Sequence, residues 1–224
     1  MLKLQELTIG YPSRKLIAPT TLEVGEGELC VLLGTNGVGK STLLRTVAGL
    51  RKPLSGVVCY REEDVHRMHV SDRASLLAVV LPQGAEGGGL SVTEIMRLAR
   101  LNEREDERAS ERVHRALAQM EITHLAQRKM DMLSDGERQK VMVARALAQD
   151  TPLMIWDEPT VFLDYPARKK VMDVIERQAH EEGKTILCSS HDLHLIQGRA
   201  DRIWLIHNEQ LRELDPKSSV EELE

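Results

Sequence analysis

The 224-residue chain is poor in aromatic residues, so its core has to be built from aliphatic side chains. Phenylalanine, tyrosine and tryptophan make up 3% of the residues, whereas all hydrophobic types together make up 42%, enough for a sizeable core. No apolar run approaches the roughly 20 residues that a helix needs to span a bilayer. The N-terminus also lacks the charged and then apolar segments of a signal peptide. These absences predict a cytoplasmic protein.

Cysteine and excess positive charge are scarce as well. The three cysteines, Cys30, Cys59 and Cys188, are far apart and lie in apolar segments. That pattern favours buried thiols in a reducing compartment over a disulfide or a metal set. The formal net charge is −5, with acids and bases interleaved, whereas nucleic-acid-binding domains usually carry a basic face. We therefore expect no nucleic-acid partner.

Apolar segments that alternate with helical patterns predict an α/β fold with a parallel sheet. Residues 28–34 form a compact apolar run, as expected for a strand that is buried on both faces. Tyr11-Pro12-Ser13 predicts a turn between the first two strands. The predicted strands are 2–9, 16–24, 28–34, 55–60, 76–82, 152–158, 184–190 and 201–207, and the predicted helices are 41–50, 167–183 and 192–200.

Only helical patterns occur between the glycine-rich segment after Gln83 and residue 149. Ser91 with Glu94 and Ser134 with Glu137 have the spacing of a capping box, in which each side chain satisfies a backbone N–H group of the other residue. We predict one domain over 1–224, in which 1–83 and 150–224 form the core and 84–149 a helical insertion.

GTNGVGKST, residues 34–42, matches the phosphate-binding P-loop pattern at Gly34, Gly39, Lys40 and Ser41. Glycines let backbone N–H groups surround an anion, and the helix that follows points its positive end at the phosphates. Lys40 would neutralise the β- and γ-phosphates, and the Ser41 hydroxyl could ligate Mg²⁺. The other nucleotide-binding candidates in this loop are Asn36, Gly37 and Thr42.

LMIWDE, residues 153–158, predicts a buried strand that ends in two carboxylates. Asp157 would hold Mg²⁺ through water beside Ser41. Glu158 lies past the strand end, where a water molecule could attack the γ-phosphate. We interpret Trp156 as a packing residue.

Together these motifs resemble the ATP-binding-cassette (ABC) ATPases over nearly the whole chain. LSDGERQ (133–139) resembles the family signature, and DEPTVFLD (157–164) resembles the end of the Walker B strand with the D-loop. Gln83 stands at the Q-loop position, and His191 in SSHD matches the switch histidine. Tyr11 falls where the family places an aromatic ring against adenine, although it could also be a plain aromatic residue at a strand end.

The resemblance implies a P-loop NTPase core with a mostly parallel sheet, an N-terminal antiparallel β-subdomain and an inserted α-helical subdomain. It also implies an enzyme that hydrolyses ATP with Mg²⁺. The implied catalytic residues are Glu158, His191 and Gln83, and the implied metal ligands are Ser41, Gln83 and Asp157.

In the family, two cassettes pair head to tail. The resemblance therefore implies that Ser134 and Gly136 bind the γ-phosphate held by a second copy, with Asp164 of the D-loop also near nucleotide. The capping box remains an alternative interpretation of the same stretch. Asp135 departs from the usual signature, which has glycine there, and places a negative charge near the expected phosphate.

Within the family, residues 133–164 most resemble the ATPases that import iron–siderophore complexes, haem or cobalamin. That resemblance implies integral membrane permease partners, indirectly a substrate-binding protein, and a location on the cytoplasmic face of the membrane. The alternatives are a soluble ABC ATPase of iron–sulfur cluster assembly and another non-transport ABC protein.

Overall fold

The computed structural model describes residues 1–81, 89–99 and 107–216. The strands are β1 (Leu2–Tyr11), β2 (Arg14–Val24), β3 (Leu29–Leu33), β4 (Ser55–Tyr60), β5 (Glu63–Asp64), β6 (Leu77–Val80), β7 (Leu153–Trp156), β8 (Thr185–Ser189), β9 (Arg202–His207) and β10 (Gln210–Leu214). The helices are α1 (Lys40–Val47), α2 (Val70–Leu76), α3 (Val92–Leu98), α4 (Glu107–Gln119), α5 (Asp135–Gln149), α6 (Tyr165–His180) and α7 (Leu193–Ile196), with 3₁₀ turns at Thr123–Leu125 and Met130–Met132.

A six-stranded sheet in the order β10-β9-β3-β8-β7-β6 forms the centre of the fold. Neighbouring strands from β9 to β6 pair in parallel, and only β10 is antiparallel to its neighbour β9. Because the strands are parallel, the carboxyl ends of β3, β7 and β8 meet at one edge, where an open α/β sheet binds its ligand. The predicted fold class is confirmed.

Both faces of this sheet are buried. On β3, Val31 packs into the apolar cluster on the helical side, and Leu32 packs into a second cluster shared with β1 and α1. Trp156 lies on the helical side and Trp204 on the other side, and both are fully buried. The prediction that Trp156 is a packing residue agrees with this placement.

A four-stranded antiparallel sheet, in the order β2-β1-β4-β5, covers the second face. The β1–β2 hairpin turns at Pro12 and Ser13, since Tyr11 still pairs with Arg14. Cys30, Cys59 and Cys188 are free and buried, as their apolar surroundings predict.

Residues 89–99 and 107–149 contain helices and 3₁₀ turns, as predicted for this segment. Both predicted capping boxes are present, Ser91 with Glu94 before α3 and Ser134 with Glu137 before α5. The division of the chain at 83/84 and 149/150 stays a prediction, although α5 does end at Gln149. Among the described residues, no helix combines the length and the apolar character that crossing a membrane requires.

Several elements differ from the prediction. The helix predicted for 192–200 is a single turn, Leu193–Ile196, because Gln197 is already extended and Gly198 has a φ of 75°. α2 gave no periodic signal because it buries none of its residues. The sequence also gave no signal for β5, which is two residues long, or for β10, a short strand of mostly exposed residues.

Candidate nucleotide site

The loop between β3 and α1 has the backbone of a phosphate cradle. Gly34 and Gly39 have φ angles of 146° and 122°, which residues with side chains rarely adopt. A Cβ atom on Gly34 would also lie 2.9 Å from the Ile206 carbonyl oxygen. Asn36 and Gly37 are exposed, whereas Ser41 and Thr42 follow in the first turn of α1.

Lys40 is the first residue of α1 and is only 5% exposed. Its Nζ atom donates hydrogen bonds to the carbonyl oxygens of Gly34 (2.8 Å) and Thr35 (3.2 Å). Burial lowers the pKa of Lys40, while the carboxylates of Glu158 and Asp157 act in the opposite direction. A phosphate would be a stronger acceptor than either carbonyl group, because its negative charge adds Coulomb attraction to the Lys40 ammonium group.

Ser189 contacts both of the acidic residues that follow β7, one through its carboxylate and the other through its backbone. Its Oγ atom donates to Asp157 Oδ1 (2.8 Å) and accepts from the Glu158 backbone N–H (2.9 Å). Ser189 belongs to none of the predicted motifs. The only available signal was its position at the end of the strand next to β7, two residues before His191.

Asp157 is fully buried, and its Oδ2 atom has no hydrogen-bond partner among the described residues. Such an atom requires an explanation, because buried polar groups are nearly always satisfied. A hard cation that accepts oxygen ligands would satisfy it. The unpartnered Asp157 oxygen therefore fits the predicted Mg²⁺ ligand, whereas the role of Ser41 stays a prediction and the third predicted ligand, Gln83, lies outside the described residues.

Glu158 and His191 come together across the ends of β7 and β8. His191 Nε2 and Glu158 Oε1 are 2.5 Å apart, and both side chains are partly exposed. The Glu158 backbone has a φ of 50°, an uncommon conformation that the hydrogen bond from its N–H group to Ser189 helps to hold. A carboxylate and an imidazole in this arrangement can orient and deprotonate a water molecule.

The N-terminus of α5 carries the signature segment. Ser134 is exposed, and its Oγ atom accepts from the Glu137 backbone N–H (3.2 Å) while Glu137 accepts from the Ser134 backbone N–H (2.8 Å). Asp135 forms an ion pair with Arg138 one turn along the helix (2.8 Å). The negative charge at Asp135 is therefore compensated within the same turn.

Gly136 has a structural reason to be glycine within this chain. A Cβ atom there would lie 3.0 Å from the Phe162 carbonyl oxygen and 3.6 Å from Leu163 Cδ2. One turn further, Gln139 is buried and donates to the Pro159 carbonyl oxygen (2.9 Å). The start of α5 is thus packed against the loop that follows Glu158, a contact that no sequence pattern predicts.

Two further candidate residues have clear local roles. Asp164 caps α6 by accepting from the Ala167 backbone N–H (3.0 Å). Tyr11 is 46% exposed, and its ring contacts the Arg51 guanidinium. Neither observation tests a contact with nucleotide, so both binding roles stay predictions.

A protein-family model described as "ABC transporter" matches residues 17–161. The chain belongs to this family. It is 38% identical to the achromobactin transport ATP-binding protein CbrD of Dickeya dadantii, over 91% of this chain and 78% of that protein. It is 34% identical to the iron(3+)-hydroxamate import ATP-binding protein FhuC of Bacillus subtilis, over 86% of this chain and 74% of that protein.

A solved structure of a dimeric bacterial ABC transporter cassette superposes with a TM-score of 0.86 at 25% identity and covers 98% of this chain and 100% of that one. The chain is therefore an ABC ATPase that binds ATP, and the predicted family, fold and enzyme class are confirmed. The roles of the individual residues in this ATPase stay predictions.

Proposed function

We propose that this ABC ATPase powers the import of iron–siderophore complexes through an integral membrane permease. The supporting observation is the similarity, over most of both chains, to ATP-binding proteins for achromobactin transport and iron(3+)-hydroxamate import. An ATPase subunit of this kind would lie on the cytoplasmic face of the membrane, and a substrate-binding protein would act with it only indirectly.

ATP would bind at the carboxyl edge of the parallel sheet. The P-loop amides and the N-terminus of α1 would surround the phosphates, and Lys40 would exchange its carbonyl acceptors for phosphate oxygens. Asn36, Gly37 and Thr42 would complete the phosphate contacts, and the exposed ring of Tyr11 would stack on adenine.

Mg²⁺ would supply charge neutralisation at the β- and γ-phosphates. Asp157, with its unpartnered buried oxygen, would hold the ion together with Ser41 and Gln83. Ser189 keeps the other Asp157 oxygen hydrogen-bonded and so fixes which oxygen faces the ion.

Hydrolysis would use Glu158 and His191. Glu158 would accept a proton from the attacking water or orient that water, and His191 would hold the carboxylate before contacting the γ-phosphate. Gln83 would sense the ion and the water.

A second copy of the chain would complete each site. Ser134 and the Gly136 backbone at the start of α5 would approach the γ-phosphate held by the other copy, since a helix N-terminus is a ready anion site. Asp164 would lie near the same nucleotide. Because α5 packs on the loop after Glu158, closing of the dimer would affect the nucleotide site of each copy.

The experiment that tests this function isolates the membrane partner and then measures transport of the cargo. Tagged chain bound to ATP is used to isolate its partner from detergent-solubilised membranes, and the pair is reconstituted in vesicles. We expect a multi-span permease and ATP-dependent uptake of a labelled iron–siderophore, lost in Lys40→Ala. Capture of cluster-assembly proteins instead of a permease would contradict the transport function. Uptake of haem or cobalamin instead of the iron–siderophore would contradict the proposed cargo.

A further inference from the structure

Arg51 makes two contacts at the end of β1, where Tyr11 is the residue predicted to bind adenine. Its Cζ atom lies 4.2 Å from the centroid of the Tyr11 ring, which is a close cation–π arrangement. Its Nη2 atom also donates to the carbonyl oxygen of Gly10, the residue before Tyr11 (3.0 Å). One guanidinium group thus binds both the ring and the strand that carries it.

The backbone of Arg51 is fixed as well. Its N–H group donates to the Arg45 carbonyl oxygen at the end of α1 (3.1 Å). Arg51 therefore connects the C-terminal end of α1 to the end of β1, and the ring orientation depends on a helix rather than on the hairpin alone.

The guanidinium lies over one face of the Tyr11 ring, and Tyr11 as a whole residue is still 46% exposed. Arg51 follows the C-terminal end of α1, whereas the P-loop precedes its N-terminal end. Eight residues of helix, Lys40–Val47, separate the two by about 12 Å. A nucleotide whose phosphates lie on the P-loop would therefore approach Tyr11 from the end of α1 opposite to the end that Arg51 follows.

We propose that Arg51 is a positioning residue for the nucleobase, which holds Tyr11 from behind so that its open face stacks on adenine. This inference rests on the proposed ATP site. The positive charge behind the ring and the fixed ring orientation both act on the adenine end of the ligand and leave the phosphate end unchanged.

The test compares two ligands that share phosphates but differ in the base. Affinities for ATP and for inorganic tripolyphosphate are measured by calorimetry in wild type, Arg51→Met and Arg51→Lys. Arg45→Met is the matched control, because it removes the same charge from an exposed position on the adjoining helix α1.

We expect Arg51→Met to weaken ATP binding about three- to tenfold, the range for a partly desolvated cation–π contact, and to leave tripolyphosphate binding at the level of Arg45→Met. The KM for ATP should rise with kcat nearly unchanged, and Arg51→Lys should retain part of the affinity.

Unchanged ATP affinity in Arg51→Met would overturn the inference, and so would tighter binding, which would mean that the guanidinium occupies the face adenine needs. Tyr11→Ala separates this failure from failure of the proposed site. If Tyr11→Ala weakens ATP binding and Arg51→Met does not, only the role of Arg51 is wrong. If neither does, the adenine assignment of Tyr11 is also wrong.

Discussion

The carboxyl edge of the parallel sheet and the N-terminus of α5 are two anion-facing regions of opposite design. At the sheet edge, Lys40 and Asp157 are 5% and 0% exposed, and each is held by backbone or by Ser189. At the start of α5, Ser134 is exposed, and the Asp135 side chain retains 65% of its accessible surface. The charged groups of the sheet edge are therefore buried within the chain, whereas the polar groups at the start of α5 face the solvent.

Charge is also balanced differently in the two regions. At the sheet edge, Lys40 lies near the carboxylates of Asp157 and Glu158, and in low-dielectric surroundings each charge has large effects on its neighbours. Asp135 and Arg138 form an exposed pair, which is worth little and is screened by salt. Changes at the sheet edge should therefore have much larger effects than changes at α5, and the following substitutions test that ranking.

Glu158→Gln should have the largest effect. The substitution keeps size and hydrogen-bonding reach but removes the charge that draws a proton from water, so hydrolysis should fall by roughly 10² or more. ATP should still bind, and a stable dimer should accumulate with Mg-ATP, measured by light scattering.

Lys40→Ala serves as the control for Glu158→Gln, because it should lose ATP binding and therefore the dimer. Hydrolysis by Glu158→Gln at the wild-type rate would show that Glu158 is not the catalytic carboxylate. An inactive variant that never dimerises would argue against the role of Ser134 at the second copy.

Ser189→Ala should have the next largest effect. It leaves Asp157 Oδ1 and the Glu158 backbone N–H without their shared partner, and an unsatisfied buried group costs about 1–3 kcal/mol. We expect a lower melting temperature and about tenfold slower hydrolysis. The control is Ser190→Ala, an equally buried neighbour whose hydroxyl accepts from the Asp192 backbone instead. Equal activity in the two variants would contradict the role of Ser189.

Gly136→Ala should have a smaller effect, because two contributions oppose each other. Alanine favours a helix by about 0.5–1 kcal/mol over glycine, but its Cβ would press on the Phe162 carbonyl oxygen at 3.0 Å. We expect no net gain in the free energy of unfolding and a several-fold loss of ATPase activity. If the variant is stabilised by the full amount of about 0.5–1 kcal/mol and keeps normal activity, the loop that contains Phe162 can move aside without affecting the site.

Asp135→Gly and Arg138→Met should have the smallest effects. Removing Asp135 should leave the ATP-bound dimer unchanged or slightly tighter, whereas removing Arg138 exposes the Asp135 charge and should weaken the dimer, by no more than about 1 kcal/mol. Sedimentation of both variants in the Glu158→Gln background measures this, and high salt should abolish the difference. A weaker dimer for Asp135→Gly would contradict the screening by Arg138.

The sequence predicted the buried strands and the main helices because their patterns are strong and local. The P-loop follows a run that is buried on both faces, and the two capping boxes follow from residues three apart. The contact between Gly136 and the Phe162 carbonyl could not be predicted, because it joins residues 26 positions apart through backbone rather than through a recognisable pair. Ser189 was missed for a similar reason, since its two partners, Asp157 and Glu158, directly follow the neighbouring strand β7 and are about 30 positions away in the sequence.

The two tryptophans are intrinsic fluorescent probes of the two apolar clusters on either side of the sheet. The chain has only Trp156 and Trp204, both shielded from solvent on opposite faces of the same sheet. Quenchers such as acrylamide should therefore reach neither indole until a core opens. Single replacements by phenylalanine would leave one emitter on the helical side or one on the antiparallel-sheet side, so the order in which the two faces loosen during denaturation can be followed by fluorescence alone.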